Sequence, residues 1–420
     1  MMILGYAGFD ECAVMFRVCY IPDRQWKYSP QGILEQIHWR KMKSDRSAAL
    51  LLMGVAILGI VIANSPIGPA FLDFKHSYIG FESIGLKLSV EHWVSDLLLA
   101  TFFLVAGLEL KYELSIGVLS KPASALVPVL AGIGGVVVPA LIYVAFNWGT
   151  DYLGGWPIPT ATDIAFALGI LAIFGRGLPK SARVFLLALA IFDDLVAILI
   201  IAIFFTSDVQ AQWLVAALVI AAVHVVAEKY KKLPINYVRV VTFLLLWYTV
   251  YQSGVHATIA GVVLGLIIPA KKTHSLVAKI QPWTNSVSLP VFAFFAVAIA
   301  LPTFDGAFSS VFVGIAVALP VGKLIGITAL AVLANRLAAK PDRLDLEPLD
   351  FLAISGLAGV GFTVSLLMTN LAFVDTQYIV AEATLAVILG SMLAMGFGAW
   401  LSQLRGRYYM RKHREENAAS

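Results

Sequence analysis

The ten residues AIFDDLVAIL (190–199) set two adjacent aspartates, Asp193 and Asp194, inside a run that has no other polar residue. The run extends from Val184 to Phe205, 22 residues of Val, Phe, Leu, Ala and Ile apart from the two acids, long enough to cross a bilayer core of ~30 Å as one helix. Asp193 is the tenth residue, so the pair falls near the midplane. On an insertion scale each midplane Asp costs about 2.5–3.5 kcal/mol, while each Leu, Ile, Phe or Val returns roughly 0.3–0.6 kcal/mol. The run holds 16 of the latter, so two carboxylates cancel most or all of its drive to insert. A segment under that penalty calls for a functional reason.

The whole chain reads the same way. Of its 420 residues 60% are hydrophobic and only 13% charged, about half the charge of a soluble protein, and the mean hydropathy is +0.85. Apolar stretches occur near 47–64, 93–110, 123–146, 158–175, 182–205, 211–227, 236–252, 255–270, 284–302, 309–335, 350–373 and 379–403. These predict an all-α polytopic membrane protein with twelve transmembrane helices, a body over 47–405, an N-terminal extension over 1–46 and a basic tail over 406–420. With the N-terminus inside, the inner segments hold 27 of the 30 Lys and Arg. The outer loops hold Lys75 and Lys87, and Lys323 lies within the tenth stretch. That asymmetry puts both termini in the cytoplasm. The opening MMILGYAGFDECAVMF lacks the basic start of a signal peptide. Cys12 and Cys19 are the only cysteines, so neither a disulfide framework nor a soft-metal site follows. The basic tail reads as an orienting, lipid-facing segment rather than a nucleic-acid contact. In the longest outer loop, SIGLKLSVE (83–91) alternates apolar and polar residues, which predicts a strand, with SYIGFE (77–82) as its hairpin partner. A hairpin edge there offers a contact for a second copy.

Further ionisable residues fall at membrane depth: Asp96 early in the second stretch, Asp163 in the fourth and Lys323 in the tenth. Glu109, Lys111 and Glu113 close the second stretch, His224 lies in the sixth and His256 opens the eighth. Adjacent helical residues point about 100° apart, so Asp193 and Asp194 cannot share one partner face. One can pair with Lys323, the only buried cation to hand, leaving the other to face a cavity. Asp163 sits in GWPIPTATDIAFALG (155–169), where Pro157 and Pro159 interrupt helix bonding and Thr160 and Thr162 add oxygens. ISGLAGVGFTVSLLM (354–368) likewise carries Gly356, Gly359 and Gly361 in a helix interior. One interrupted segment in each half points to two crossing broken helices, in spans 4 and 11, within inverted repeats over spans 3–5 and 10–12. Carboxylates, hydroxyls and freed carbonyls are hard oxygen ligands suited to a small cation such as Na+. The same oxygens take protons, and one site serving both ions while opening to each side in turn is an antiporter in outline. No cofactor is called for.

With those residues placed, the chain resembles the NhaA-type bacterial sodium/proton antiporters, from IANS near residue 62 onward. The matching motifs are FFLVAGLELKYEL (102–114), GWPIPTATDIAFALGILA (155–172), LALAIFDDLVAILIIAIFF (187–205), SGVHATIAGVVLGLIIP (253–269), VGKLIGI (321–327) and GLAGVGFTVSLL (356–367). The resemblance implies electrogenic exchange in the bacterial inner membrane, with more protons entering than sodium ions leaving. It also implies acceptance of Li+, a part in pH homeostasis and a homodimer. It makes Asp194 the main carrier of sodium and protons, with Thr162 and Asp163 completing the Na+ site. Asp193 and Lys323 become a pair tied to proton movement, Gly359 and Gly361 the broken-helix glycines, and Glu109, Glu113 and Asp96 the acids of the funnel and the pH response. The chain departs from the family pattern at FAFFAVAIAL (292–301), which lacks the usual Asn and Gly, and at Tyr112, where an Arg is common. Both positions bear on pH activation. Residues 1–40 have no counterpart there.

Two other classes fit less well. An intramembrane isoprenoid transferase needs a second acid cluster, and residue 197 is Ala; an aspartyl protease needs a GxGD run, and none occurs. A passive cation channel is separated from an antiporter by whether flux depends on an opposing proton gradient.

Overall fold

The computed structural model describes residues 30–206, 208–230, 234–302, 308–374 and 376–419, with side chains from 47 to 417. The chain divides into two units, Met1–Asp45 and Arg46–Ser420, and residues 1–29 of the expected extension lie outside the described residues. Helix α1 (Pro30–Ala63) turns at Ser65–Pro66 into α2 (Gly68–His76), and the segment Ser47–Ala63 makes an angle of 107° with α2. The expected hairpin follows: β1 (Tyr78–Phe81) pairs antiparallel with β2 (Leu86–Ser89), Tyr78 opposite Ser89 and Phe81 opposite Leu86. Gly85, at φ +69°, makes the turn that returns the chain, a conformation open to glycine at little cost.

Helices α3 (Val90–Ser115), α4 (Pro122–Asn147), α5 (Ile164–Phe174), α6 (Lys180–Phe204), α7 (Ala211–Ala227), α8 (Ile235–Gln252) and α9 (Ile259–Ile267) come next. Then α10 (Ala270–Trp283) runs through a π turn into α11 (Leu289–Val297). Helices α12 (Ser310–Leu337), α13 (Pro348–Ala358), α14 (Phe362–Ala372) and α15 (Gln377–Ala419) complete the chain. Each apolar stretch of the sequence overlaps helix, although those near 158–175, 255–270, 284–302 and 350–373 are helical only in part. Among the described residues, however, six helices are long and apolar enough to cross a membrane unaided, or eight if each bent pair forms one span. The molecule is an all-α membrane protein with one small hairpin. Leu58, Val61, Leu218, Val223, Val240, Leu244 and Leu393 stand exposed on its flanks, an apolar surface that lipid rather than water must cover.

Both predicted interruptions occur. In the fourth segment two 3₁₀ turns, Leu153–Gly155 and Ile158–Thr160, precede extended backbone at 161–163, and helix resumes only at Ile164. In the eleventh, α13 ends at Ala358 and α14 starts at Phe362, with a bend of 50° between them. Gly356, expected at the break, lies inside α13 instead, where its lack of a side chain lets Gly398 of α15 approach. Two apolar cores form. The larger gathers α4–α6 and α11–α15 around Phe185, Phe292 and Phe351, and the smaller gathers α7–α9 around Leu246 and Trp247. Helix α3 serves both, with Leu99 and Phe103 in the first and Ala100 and Leu108 in the second. Gly261 and Gly265 press α9 onto α3 at Ala100 and Gly107, close packing of the small-residue kind.

Helices α4 and α12 meet at backbone distance. A Cβ on Gly326 would lie 2.0 Å from the Gly134 carbonyl oxygen, and one on Gly134 would lie 2.1 Å from that of Gly326. No rotamer change relieves a clash with backbone. Gly326→Val is therefore expected to force the helices apart at a cost of about 1–3 kcal/mol, read as a lowered midpoint of thermal unfolding in detergent.

Candidate functional site

The extended stretch 161–163 and the break 359–361 cross and satisfy one another's backbone. The Asp163 amide donates to the Val360 carbonyl at 2.6 Å, and the Thr162 hydroxyl lies 2.8 Å from the Ala358 carbonyl. The Ser365 hydroxyl donates to the Ile158 carbonyl at 2.7 Å. Backbone that leaves its helix at membrane depth is tolerated where the protein itself meets its hydrogen-bonding needs, and here each broken segment supplies the other.

Asp163 is the joint of this crossing. Its Oδ1 accepts from the amides of Ala165 and Phe166, capping α5. Its Oδ2 accepts from the amide of Thr363 at 3.2 Å and from the Thr363 hydroxyl at 2.6 Å, at the first turn of α14. One carboxylate thus faces the positive ends of two helix dipoles. Thr363 went unremarked in the sequence although it stands two residues beyond Gly361, as Asp163 stands at the matching edge of the other break.

Asp193 and Lys323 form a fully buried ion pair, with Lys323 Nζ 2.6 Å from Asp193 Oδ2 and both side chains at 0% exposure. Lys323 Nζ also donates to Thr162 Oγ1 at 2.9 Å, and Thr162 Oγ1 lies 2.7 Å from Asp193 Oδ2. The Thr162 hydroxyl has one hydrogen, so it serves either Asp193 or Ala358 at a given moment. Lys323 follows directly on a π turn, Ala318–Gly322, an irregularity frequent at functional positions. Gly322 there lets α12 approach Pro139 of α4.

Asp194 differs from all of these. It is buried at 7% exposure, and among the described residues no hydrogen bond or ion pair engages its carboxylate. The Oδ1 of Asp193 is likewise buried without a bonded partner. Of the expected Na+ ligands Asp194, Asp163 and Thr162, the last two are engaged in hydrogen bonds in this conformation. Asp163 is taken up by the amides of α5 and by Thr363, and Thr162 by Lys323, Asp193 and Ala358. The acceptors left over are the Asp194 carboxylate and the second oxygen of Asp193.

The three acids grouped as funnel and pH-response residues separate as well. Glu109 lies toward the end of α3, where Gln281 of α10 donates to it at 3.4 Å. Glu113 folds back on its own loop and accepts from the Val118 amide at 2.8 Å. Asp96 sits in the π stretch Trp93–Leu98 near the other end of α3, 3.7 Å from His256 Nε2. There it lines a cavity of about 330 Å3 with Lys75, Glu91 and His92. Asp96 thus belongs to a different face of the molecule from Glu109 and Glu113. His256 also bonds Thr258, and His224 bonds Thr242. Gly359 and Gly361 lie at the break, and a Cβ on Gly361 would meet the Ser365 hydroxyl at 2.2 Å.

A family profile described as Na+/H+ antiporter 1 matches residues 40–401. Among curated proteins, the Na(+)/H(+) antiporter NhaA 2 of Clavibacter michiganensis subsp. michiganensis is 44% identical over 375 residues, covering 87% of this chain and 92% of its own length. The Na(+)/H(+) antiporter NhaA 2 of Pseudomonas syringae pv. syringae is 41% identical over 86% of this chain and 93% of its own. The Na(+)/H(+) antiporter NhaA 3 of Streptomyces coelicolor is 40% identical over 88% and 80%.

Removing one partner of a buried pair strands the other charge. Lys323→Met is expected to destabilise the protein by about 3–5 kcal/mol, with much of the loss recovered in Asp193→Asn/Lys323→Met, whose pair is neutral. Unfolding midpoints of the two purified variants against the parent measure this.

Proposed function

The chain belongs to the Na+/H+ antiporter 1 family, and from that premise we propose that it extrudes Na+ against protons by alternating access, with both ions competing for Asp194. Membership makes it a multi-pass membrane transporter that exchanges Na+ and H+, rather than a catalytic enzyme. The observation that carries the finer reading is the contrast between neighbours on α6. Asp193 has a fixed counter-ion in Lys323; Asp194 is equally deep and has none. An unpaired charge in such a place is not sustained, so the group takes up either a proton or a small cation. Carboxylate oxygens suit Na+ and Li+, hard ions that prefer oxygen. Asp194 is the carrier in this scheme, and the free oxygen of Asp193 is its nearest helper. Thr162 and Asp163 act by holding the crossing, and they become ligands only where a rearrangement releases them. Two protons taken for each sodium released would make the exchange electrogenic.

The proposed topology has twelve spans in inverted repeats, the first formed by α4–α6 and the second by α12–α15. Each would carry one of the crossed breaks at its centre. Contacts between loops support this sidedness. Ser124 bonds Asp342, Ser181 bonds the Asp345 carbonyl, and Lys272 bonds Glu228, joining the basic loops at one end. Asn64 bonds Ile299 and Lys75 bonds Ala298 at the other. The basic end would face the cytoplasm of a bacterial inner membrane, both termini with it. Among the basic-end contacts, Glu228 lies just past α7. Burial raises its carboxyl, but the hydrogen bonds and charges of Lys272 and Arg239 outweigh that and hold it below the usual carboxylate range. The hairpin edge at Tyr78–Phe81, with all four residues exposed, is the proposed homodimer contact.

In inside-out vesicles carrying a ΔpH-sensitive dye, NaCl and LiCl are expected to dequench the signal. Asp194→Asn should abolish that response while its membrane level stays at that of the parent. Full exchange in Asp194→Asn would refute Asp194 as carrier, and Na+ flux indifferent to an opposing proton gradient would favour a channel.

A further inference from the structure

The second half of α15 grips both halves of the crossing. Gly398 sits against α13 at backbone distance, since a Cβ there would lie 2.7 Å from the Leu357 amide nitrogen. Two turns further along, on the same face, Arg405 spreads its guanidinium between two acids at the start of α13. Its Nε is 2.7 Å from Asp350 Oδ1 and its Nη2 is 2.6 Å from Glu347 Oε2. The Tyr409 hydroxyl donates to Asp350 Oδ2 at 2.6 Å, and the guanidinium lies 4.4 Å from the Tyr408 ring centroid. Asp350 is fully buried, and the same Oδ2 accepts the Glu347 amide in a capping box. The next residue, Gly406, packs on the turn that ends α5, where a Cβ would lie 2.1 Å from the Arg176 carbonyl oxygen.

These two grips meet the two half-helices that carry the crossing. Helix α13 is 11 residues, and its far end presents the Ala358 and Val360 carbonyls to Thr162 and Asp163. Helix α5 begins at Asp163 and ends beside Arg176. Each is a stiff rod of about 16 Å, so a tilt at the clamped end becomes a displacement at the crossing. A planar fork holding two carboxylates fixes orientation as well as distance.

We propose that Arg405, with Asp350 and Tyr409, is a set of positioning residues for ion exchange, a clamp by which the C-terminal helix sets the spacing of the two half-helices at the crossing. None of the three touches the ion. They act by fixing where Ala358 and Val360 stand relative to Thr162 and Asp163. The inference rests on the antiporter reading, and its test separates the two.

The full chain is assayed as the parent, Arg405→Gln, Asp350→Asn/Arg405→Gln and Tyr409→Phe. Reconstituted exchange gives apparent KM for Na+ and maximal rate, and hydrogen–deuterium exchange reads the segment 348–363 in the same preparations. Arg405→Gln is expected to raise KM about fivefold or more, the scale of an ordinary coupling between distant sites, and to speed deuterium uptake over 348–363. The neutral double variant should return KM to within about twofold of the parent, since no buried charge is stranded. Tyr409→Phe, which strands none, should shift KM in the same direction by less, and it keeps the test open if Arg405→Gln does not fold. Well-folded variants with unchanged KM and unchanged uptake overturn the clamp, as does a fall in rate that only tracks the amount of folded protein. A parent without any Na+ response, alongside faster uptake over 348–363 in Arg405→Gln, refutes the antiporter reading and supports the clamp.

Discussion

Everything in this molecule depends on one constraint: a backbone that abandons its helix inside a membrane must find its hydrogen bonds within the protein. The chain does so twice, at 161–163 and at 359–361, and answers each break with the other. The exchange of bonds is reciprocal, since Asp163 and Thr162 give to Val360 and Ala358 while Thr363 and Ser365 give back to Asp163 and Ile158. Asp163 is the sole carboxylate in that exchange, and it is placed where two helix N-termini concentrate positive potential. The same placement explains why this acid is spent on structure in the conformation described.

The acids on α6 show how little sequence distance is needed to give two groups opposite fates. Asp193 and Asp194 are neighbours, yet the turn of the helix directs one to Lys323 and Thr162 and the other away from both. A buried ion pair contributes little net stability compared with well-packed apolar side chains, because desolvation of both charges offsets their attraction. Its retention here is better understood as electrical. With Lys323 committed to Asp193, the charge of the neighbouring carboxylate has no fixed partner, and that is the condition a carrier requires.

Much of this was legible in the sequence. Two acids in an apolar run, a single lysine at depth and one interrupted segment in each half need only membrane energetics and helix geometry to be noticed. The partners across the crossing were not legible, because Thr363 and Asp163 stand 200 residues apart and nothing local marks their meeting. Nor does an oxygen count say which oxygens the fold engages in this conformation, as it does those of Asp163 and Thr162. The resemblance grouped Asp96 with Glu109 and Glu113, and the sequence did not show that Asp96 stands beside His256 while Glu109 stands beside Gln281. Lys75 read as a loop cation, but α2 and the turn before α3 bury it against Glu91 and the Ala298 carbonyl.

Two apolar cores meet along α3 and α9, and glycines bring backbones together in each, Gly134 with Gly326 in one and Gly265 with Gly107 in the other. Backbone-to-backbone seams resist shear, because any slide drives a carbonyl into a neighbouring Cα. Seams between ordinary side chains yield by rotamer exchange at far lower cost. The seam between α9 and α3 is of the first kind, so the two cores are joined by a stiff contact rather than a compliant one. Glu109 stands on α3, within that seam, and Asp194 stands on α6 of the larger core.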